Sequence, residues 1–584
     1  MSAALKLAIA AGSLLLGVAG GVSLLSTGCG VDALDFARAP ELVRACVQAS
    51  PRSGYYGFIA VAAGLVGALA TIAGTGGRKK QPRWERPVWS DRKAARRAGL
   101  LIGKDDDVSR VRIVGKIAPE RLGQSWKFLS YCGDAHTLIS GANRSGKGRG
   151  ILVPTLLSYA QSVMVIDPKG EFLWGDKKLG FPGTSGWRAT FSKVVYFCPT
   201  DRRSARFNFL KACRPGEFQV RDVQNLVLAI INAVKPTFFD RTAQEYVVAV
   251  ALHLLNHPGA DDVSIAGIRK FLALGDEGAA EIMTSEAHPV AARIASSLFP
   301  AGLGGAEGDK MAAQRSDTYR TAGSYLWLWD DEVVAEVTSG ECDFLPGDLM
   351  CLDQPMSLYV RQPPSDAGRV AKLVHLLISQ VLRDLTETLE TDSRGRQKKH
   401  RLMILADEFH GLGHMPDFEE KLPQIPGFGI ECVLAVQTLA QIDQVYGEKN
   451  SIIDNCHVYV TFAANDNRTL KRISEMIGMA PEIRDTESRT SSRGGASTTS
   501  GESRSWQYVM DPGAIRTLPE NEEIVLRLGF LPWRARKVRY DKERAFRDRL
   551  LPAVIEPPQL AYAPRVAPVE DQPLVPPAGF WKTT

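Results

Sequence analysis

Residues 141–148, GANRSGKG, set two glycines and a lysine in the order that makes a phosphate-binding loop. Gly141 and Gly146 let the backbone curl until successive N–H groups, those of Ala142, Asn143, Arg144 and Ser145 among them, face an anion. The helix that follows adds its positive end, and Lys147 reaches the β- and γ-phosphates of a nucleotide. The next position, where Ser or Thr usually ligates Mg²⁺, is Gly148, which carries no side-chain oxygen. Taken alone, these eight residues also fit a basic, glycine-rich turn.

A second polar cluster argues for the nucleotide. The apolar segment 401–406, RLMILA, reads as a strand that delivers Asp407 and Glu408 at its C-terminal end, the edge where open α/β sheets place ligands. This is a Walker B pattern. Asp407 is expected to hold Mg²⁺ directly or through water, and Glu408 to orient and deprotonate the water that attacks the γ-phosphate. The plain alternative is an acidic pair at a helix N-terminus.

Each of these residues needs an element to place it. The strand-like run 136–140 precedes the loop and a helix-like run opens at Gly150. Another strand, residues 432–436, ends in Gln437 and Thr438, where an amide is suited to sense the γ-phosphate or hold the attacking water. A further strand, 162–167, places Asp167 at the same edge, followed by Pro168-Lys-Gly-Glu171.

GANRSGKGRGILVPTLL, VMVIDPKGE, ILADEFHGLG and AVQTLAQI, in that order, resemble the TraG-type coupling proteins (TraG/TraD-like P-loop ATPases) of type IV secretion and conjugation. The similarity runs from about residue 133 to about residue 547. In that family the lysine is often followed by glycine, as at Gly148. The resemblance implies an α/β, RecA-like P-loop nucleotide-binding domain with an inserted all-α domain and an N-terminal two-helix transmembrane anchor. It further implies a homo-hexameric motor in the bacterial inner membrane that uses ATP and Mg²⁺. Its cargo is expected to be single-stranded DNA bound to a relaxase, or protein, delivered to the inner-membrane components of the secretion channel.

The N-terminal sequence points to a membrane independently. Residues 3–25 and 54–74 are each apolar for about the 20 residues a helix needs to cross a bilayer. The loop 26–53 between them balances three acids against three bases, whereas the stretch after the second span carries nine Lys and Arg between Arg78 and Arg97. The positive-inside rule then puts both chain ends in the cytoplasm. A cleaved signal peptide is the alternative for the first span. The basic run is expected to anchor the flank to membrane lipid, with contact to DNA as a further use.

Nine cysteines in 584 residues form no C-x-x-C or metal-ligand spacing. Only Cys29 and Cys46 fall in the loop between the spans, free or joined in a disulfide. His410 and His414 are four apart, yet the intervening Gly-Leu-Gly breaks a helix, so they read as loop residues rather than zinc ligands.

Spacing suggests the domain plan. Lys147 and Asp407 lie 260 positions apart, more than a compact nucleotide-binding sheet needs, so an insertion is expected. The boundaries read from the sequence are a transmembrane anchor (1–77), a basic membrane-proximal linker (78–130), a nucleotide-binding domain in two parts (131–257 and 343–550), an all-α insertion (258–342) and a Pro-rich tail (551–584). A long helix is expected from about Gly368 to Leu389. The Ser/Thr/Gly/Arg-rich stretch 486–505, lacking periodicity, reads as a surface loop between late strands.

A net charge of +6 is modest for this length and does not by itself indicate nucleic-acid binding. DNA contact, if made, is expected to be to phosphates, with strong salt dependence and little sequence preference. Arg468 and Arg472 are possible trans-acting arginines, with solvated helix positions as the plainer reading. Three rival readings can be weighed against the sequence. An FtsK-like double-stranded DNA translocase usually carries a compact C-terminal DNA-reading domain, and this C-terminus is Pro-rich. A membrane AAA protease needs H-E-x-x-H, which is absent. A cargo-receptor platform with little ATPase activity draws support from Gly148 and is opposed by the Asp407-Glu408 pair.

Overall fold

The computed structural model describes residues 83–555 except 85, 102–105, 118–126, 177, 179, 234, 299–304, 493 and 494, with isolated positions among the first 82. For 305, 306 and 486–500 it describes the backbone only. The expected spans at 3–25 and 54–74 fall almost wholly outside the described residues, as do Cys29, Cys46 and the tail beyond 555. Among the described residues no helix is long and apolar enough to cross a membrane. The seven described cysteines are free thiols.

Fourteen strands run along the described chain. They are β1 (Arg83–Trp84), β2 (Arg112–Ile117), β3 (Lys127–Tyr131), β4 (Thr137–Ser140), β5 (Ser162–Ile166), β6 (Lys193–Phe197) and β7 (Met356–Val360). The remainder are β8 (Leu402–Ala406), β9 (Ile430–Val436), β10 (Val458–Thr461), β11 (Met479–Ser492), β12 (Gly495–Tyr508), β13 (Glu522–Arg527) and β14 (Trp533–Arg536).

The chain divides into two compact units, one of residues 1–85 with 481–506 and one of 86–480 with 507–584. In the first, β1, β11 and β12 form a three-stranded sheet, with Arg83 opposite Ile483 and Trp84 opposite Glu482. The stretch 486–505, expected as an irregular loop, is therefore largely strand. Apolar alternation is needed only where a strand face is buried, while Thr-rich segments satisfy the backbone ladder without it.

The second unit is built on an eleven-stranded sheet in the order β3-β2-β14-β13-β10-β4-β9-β8-β5-β7-β6. The seven strands from β10 to β6 run parallel, and β13, β14, β2 and β3 extend them antiparallel. β2 and all of β3 but its last residue, Tyr131, fall within the expected linker 78–130 and add two strands to the sheet. Parallel strands are covered on both faces, so they read as unbroken apolar runs. In β8, Leu402, Ile404 and Ala406 pack into one core while Met403 and Leu405 pack into the other. β5 divides in the same way, Met164 and Ile166 against Val163 and Val165.

One face is covered by α1 (Val153–Ser158), which continues a π-helical turn, Gly148–Leu152. The other carries helices inserted between β6 and β7: α2 (Gln219–Ile230), α3 (Phe238–Asn256), α4 (Ile265–Leu272), α5 (Asp276–Thr284), α6 (Pro289–Leu298) and α7 (Gly305–Leu326). The helical segment begins at Gln219, so the expected boundary at Pro258 falls just after α3. Residues 246–252 of α3 are buried all round, which hides the amphipathic period that marks a helix in sequence. Thr237 and Asp240 fix its start with a capping box. α8 (Ala367–Leu385) crosses the same face and buries Leu373, Val374, Leu377 and Val381. Beyond β9 come α9 (Leu439–Tyr446) and, beyond β10, α10 (Asn467–Ile477).

Candidate nucleotide-binding site

Parallel strands point their C-terminal ends to one edge, so β4, β9, β8 and β5, adjacent in that order, bring the residues beyond those ends side by side. The phosphate loop follows β4, Gln437 follows β9, Asp407 and Glu408 follow β8, and Asp167 follows β5. Backbone hydrogen bonds carry the pairing one residue past the strands: Gly141 N–H to the Val436 carbonyl at 3.2 Å, and Asp407 N–H to the Ile166 carbonyl at 3.2 Å.

The loop curls through positive φ at Arg144 (61°) and Gly146 (98°), closed by Ser145 N–H to the Ala142 carbonyl at 3.1 Å. Gly141 is glycine for space. A Cβ there would meet Phe462 Cδ2 and Ser145 Oγ, each at 2.6 Å. Gly148 is under no such constraint, because a Cβ there would lie 3.7 Å from the Phe172 ring, an ordinary contact. Lys147 is buried, and its ammonium donates to the carbonyls of Gly141 and Ala142. Burial lowers its pKa, and the charges of Asp407 and Glu408 oppose that shift.

Burial also pushes the Asp407 carboxyl up to about 6, with Glu408 adding to the shift and Lys147 and Lys169 resisting it. Glu408 adopts left-handed φ (64°), which costs a non-glycine residue about 1 kcal/mol and is typical of sites where side-chain direction matters. Its carboxylate lies 3.4 Å from the Lys169 ammonium. Burial alone lowers the Lys169 pKa, but Glu408 and Glu171 outweigh it and the net shift is upward.

Asp167 reaches the edge, yet both its oxygens are committed. They accept from the amides of Glu171 (3.0 Å), Phe172 (2.8 Å) and Leu173 (3.0 Å), capping the short helix Glu171–Trp174. Burial drives this carboxyl up to about 7 against those amides.

The Gln437 side chain is half-buried at the end of β9. Its backbone N–H donates to Gln441 Oε1 at 2.9 Å, and Gln441 Nε2 lies 3.2 Å from His410 Nε2. Gln441 therefore ties the turn after Glu408 to the turn that carries Gln437, a role the sequence reading missed. His410 and His414 do not converge, since the His414 ring packs against Tyr446 instead, with ring centroids 5.2 Å apart.

A second missed group is Lys537. Its ammonium donates to the Ser145 carbonyl at 2.6 Å and sits 4.5 Å over the Phe462 ring. Arg149 pairs with Asp541 through Nε at 2.8 Å, so the segment after β14 holds the second half of the loop and the first residue beyond it. Arg468 and Arg472 make pairs within this chain, Arg468 with Asp443 (3.3 Å) and Glu448 (3.0 Å), Arg472 with Asp443 and Asp454 (each 3.9 Å).

Comparison with known proteins places this geometry. Residues 89–561 match the family described as "Type IV secretory system Conjugative DNA transfer". A conjugal transfer protein TraG of Escherichia coli is 31% identical over 494 residues, which cover 79% of this chain and 75% of the relative. VirD4 of Agrobacterium fabrum is 27% identical over 464 residues, 75% of this chain and 63% of the relative. Among solved structures, the plasmid coupling protein TrwB in complex with the non-hydrolysable analogue ADPNP aligns over 82% of this chain and 99% of its own, with a TM-score of 0.55 at 17% identity. TrwB in complex with ADP and Mg²⁺ aligns equally widely with a TM-score of 0.53, and these likenesses show a shared fold. The chain belongs to the type IV secretory conjugative DNA-transfer family, the TraG-type coupling proteins.

Proposed function

We propose that this coupling protein is an ATP-hydrolysing, RecA-like motor anchored in the bacterial inner membrane. The observation that carries the reading is the convergence of Lys147, Asp407 and Glu408 at one sheet edge, where Lys147 and Asp407 shift each other's titration. The TrwB complexes with ADP, Mg²⁺ and ADPNP support it.

On nucleotide arrival the loop amides of residues 141–148 take the phosphates, and Lys147 exchanges the carbonyls of Gly141 and Ala142 for phosphate oxygens. Asp407 is the buried carboxylate that would hold Mg²⁺, and Gly148 offers no side-chain oxygen to it. Mg²⁺ held there would supply positive charge against the β- and γ-phosphate oxygens. Glu408, aimed by its left-handed backbone, takes the proton of the attacking water. Gln437 holds that water and, through Gln441 and His410, is linked to the Glu408 turn.

Turnover in a homo-hexamer moves relaxase-bound single-stranded DNA, or protein, toward inner-membrane components of the secretion system. The family membership and the TraG and VirD4 relatives support that cargo. Two apolar stretches and the basic run beside them support the anchor, with both chain ends cytoplasmic and the basic residues against anionic lipid. Arg468 or Arg472 can serve a neighbouring subunit's site only by leaving Asp443.

The test is steady-state ATPase of the full-length protein in detergent, with and without single-stranded DNA, beside Lys147→Ala. DNA-stimulated turnover lost in the variant is the expected result. An oligomeric, folded protein without turnover would replace the motor with a cargo receptor.

A further inference from the structure

The helical insertion holds a cluster of chemistry-bearing residues remote from the nucleotide loop in sequence. His253 lies in the last turn of α3, His257 comes one turn later as its C-cap, and Glu281 stands on α5. His253 Nε2 is 3.1 Å from a Glu281 carboxylate oxygen, and the two imidazole centroids are 4.9 Å apart. One ligand atom from each of the three residues falls within 4.8 Å of the others.

The three differ in environment in a way that suits a metal. The His253 side chain is buried and packed against the Phe271 ring, with centroids 5.4 Å apart, so its direction is fixed. His257 is half-buried and Glu281 largely exposed, and both border a cavity of about 530 Å³ that also exposes Glu286. Ions and water can therefore enter. A simple His–Glu hydrogen bond accounts for His253 and Glu281 but does not involve the second imidazole beside them. The competing partner of His257 is the Gly259 N–H, at 3.2 Å from Nδ1, a single neutral hydrogen bond.

We propose that His253, His257 and Glu281 bind a late first-row divalent metal ion of the Zn²⁺, Co²⁺ or Ni²⁺ class. Two imidazoles and one carboxylate suit these ions and not the all-oxygen preference of Mg²⁺. Three protein ligands with an open fourth position on the cavity side are a common zinc arrangement. The ion joins the end of α3 to α5, so its binding free energy stabilises the insertion.

The test uses tag-free, full-length protein with its thiols reduced, titrated with Co²⁺ alone and followed by the visible d–d band, then by Zn²⁺ displacement. The expected result is one Co²⁺ per chain without a thiolate charge-transfer band, bound at least about tenfold more weakly by His257→Ala and by Glu281→Gln. At the same concentration Zn²⁺ should raise the melting temperature of the natural protein more than that of either variant. Both substitutions lie at accessible positions, and matching metal-free melting temperatures confirm that the variants fold. Equal affinity in the natural protein and both variants, binding weaker than millimolar, or a thiolate band would each overturn the site.

Discussion

The ammonium of Lys537 donates a 2.6 Å hydrogen bond to the carbonyl of Ser145, a residue 392 positions earlier in the chain. A loop meant to present its amides to an anion must direct its carbonyls elsewhere, and Lys537 holds one of them from behind. The lysine is itself half-buried; burial lowers its pKa while the buried Glu523 resists that shift.

Removing that grip should loosen the loop before a nucleotide arrives. Lys537→Met is expected to weaken ADP binding about tenfold, the scale of one charge-assisted hydrogen bond of roughly 1.5 kcal/mol, with Lys537→Arg recovering most of the loss. Equilibrium titration with a fluorescent ADP analogue reads this directly. Unchanged affinity in Lys537→Met would show that the loop keeps its shape unaided.

Asp407 gives a pH dependence with a definite sign. Its carboxyl is raised from 3.8 to about 6, so its own contribution to folding stability falls as pH rises through that window and is flat above it. Metal capture runs the other way, because only the ionised form binds Mg²⁺. The extra nucleotide affinity conferred by Mg²⁺ should therefore drop about tenfold per pH unit below 6, whereas binding measured with a chelator should change much less. An Mg²⁺ effect that persists undiminished to about pH 5 would mean that Asp407 is not the ligand.

The two glycines at the ends of the loop should respond differently to the same methyl group. In Gly141→Ala the Cβ strikes the Phe462 ring and Ser145 Oγ at 2.6 Å, and nucleotide binding should be lost with the loop's shape. In Gly148→Ala the Cβ makes an ordinary contact with Phe172 at 3.7 Å, so binding should be kept and stability rise by about 0.5 kcal/mol. Calorimetry on the two variants checks both, and failure of Gly148→Ala to bind would mean that phosphate approaches the backbone there too closely for any side chain.

What could be read from the sequence divides along a physical line. β4, β5, β8 and β9 announce themselves because strands covered on both faces are pure apolar runs, and the polar residue that ends each run marks the sheet edge. The places of Asp407, Glu408 and Gln437 just beyond β8 and β9, and of the glycine-rich loop just beyond β4, were legible for that reason. Lys537, Gln441 and the histidine pair on α3 were not, because each acts through a contact far along the chain or on a side chain of ordinary type. β2 and β3 were hidden by their place after a basic run, and β11 and β12 by a Ser- and Thr-rich composition that satisfies a ladder without a core. Asp167 shows the converse: its place at a strand end was legible, while its commitment to three amides was not.

The proposed base role of Glu408 predicts that binding and chemistry separate at this residue. Glu408→Gln keeps the length, the left-handed backbone and a hydrogen-bonding oxygen, but an amide cannot accept the water's proton. Nucleotide affinity should stay within about twofold while kcat falls by at least about a hundredfold, the usual contribution of a general base. Glu408→Gly relieves about 1 kcal/mol of backbone strain, partly offset by greater freedom of the unfolded chain, so it should be no less stable than the natural protein and equally inactive. Measuring single-turnover hydrolysis and thermal unfolding on both variants distinguishes the roles. If Glu408→Gln hydrolyses at the natural rate, the base lies elsewhere and the strained backbone at this position serves only to turn the chain away from β8.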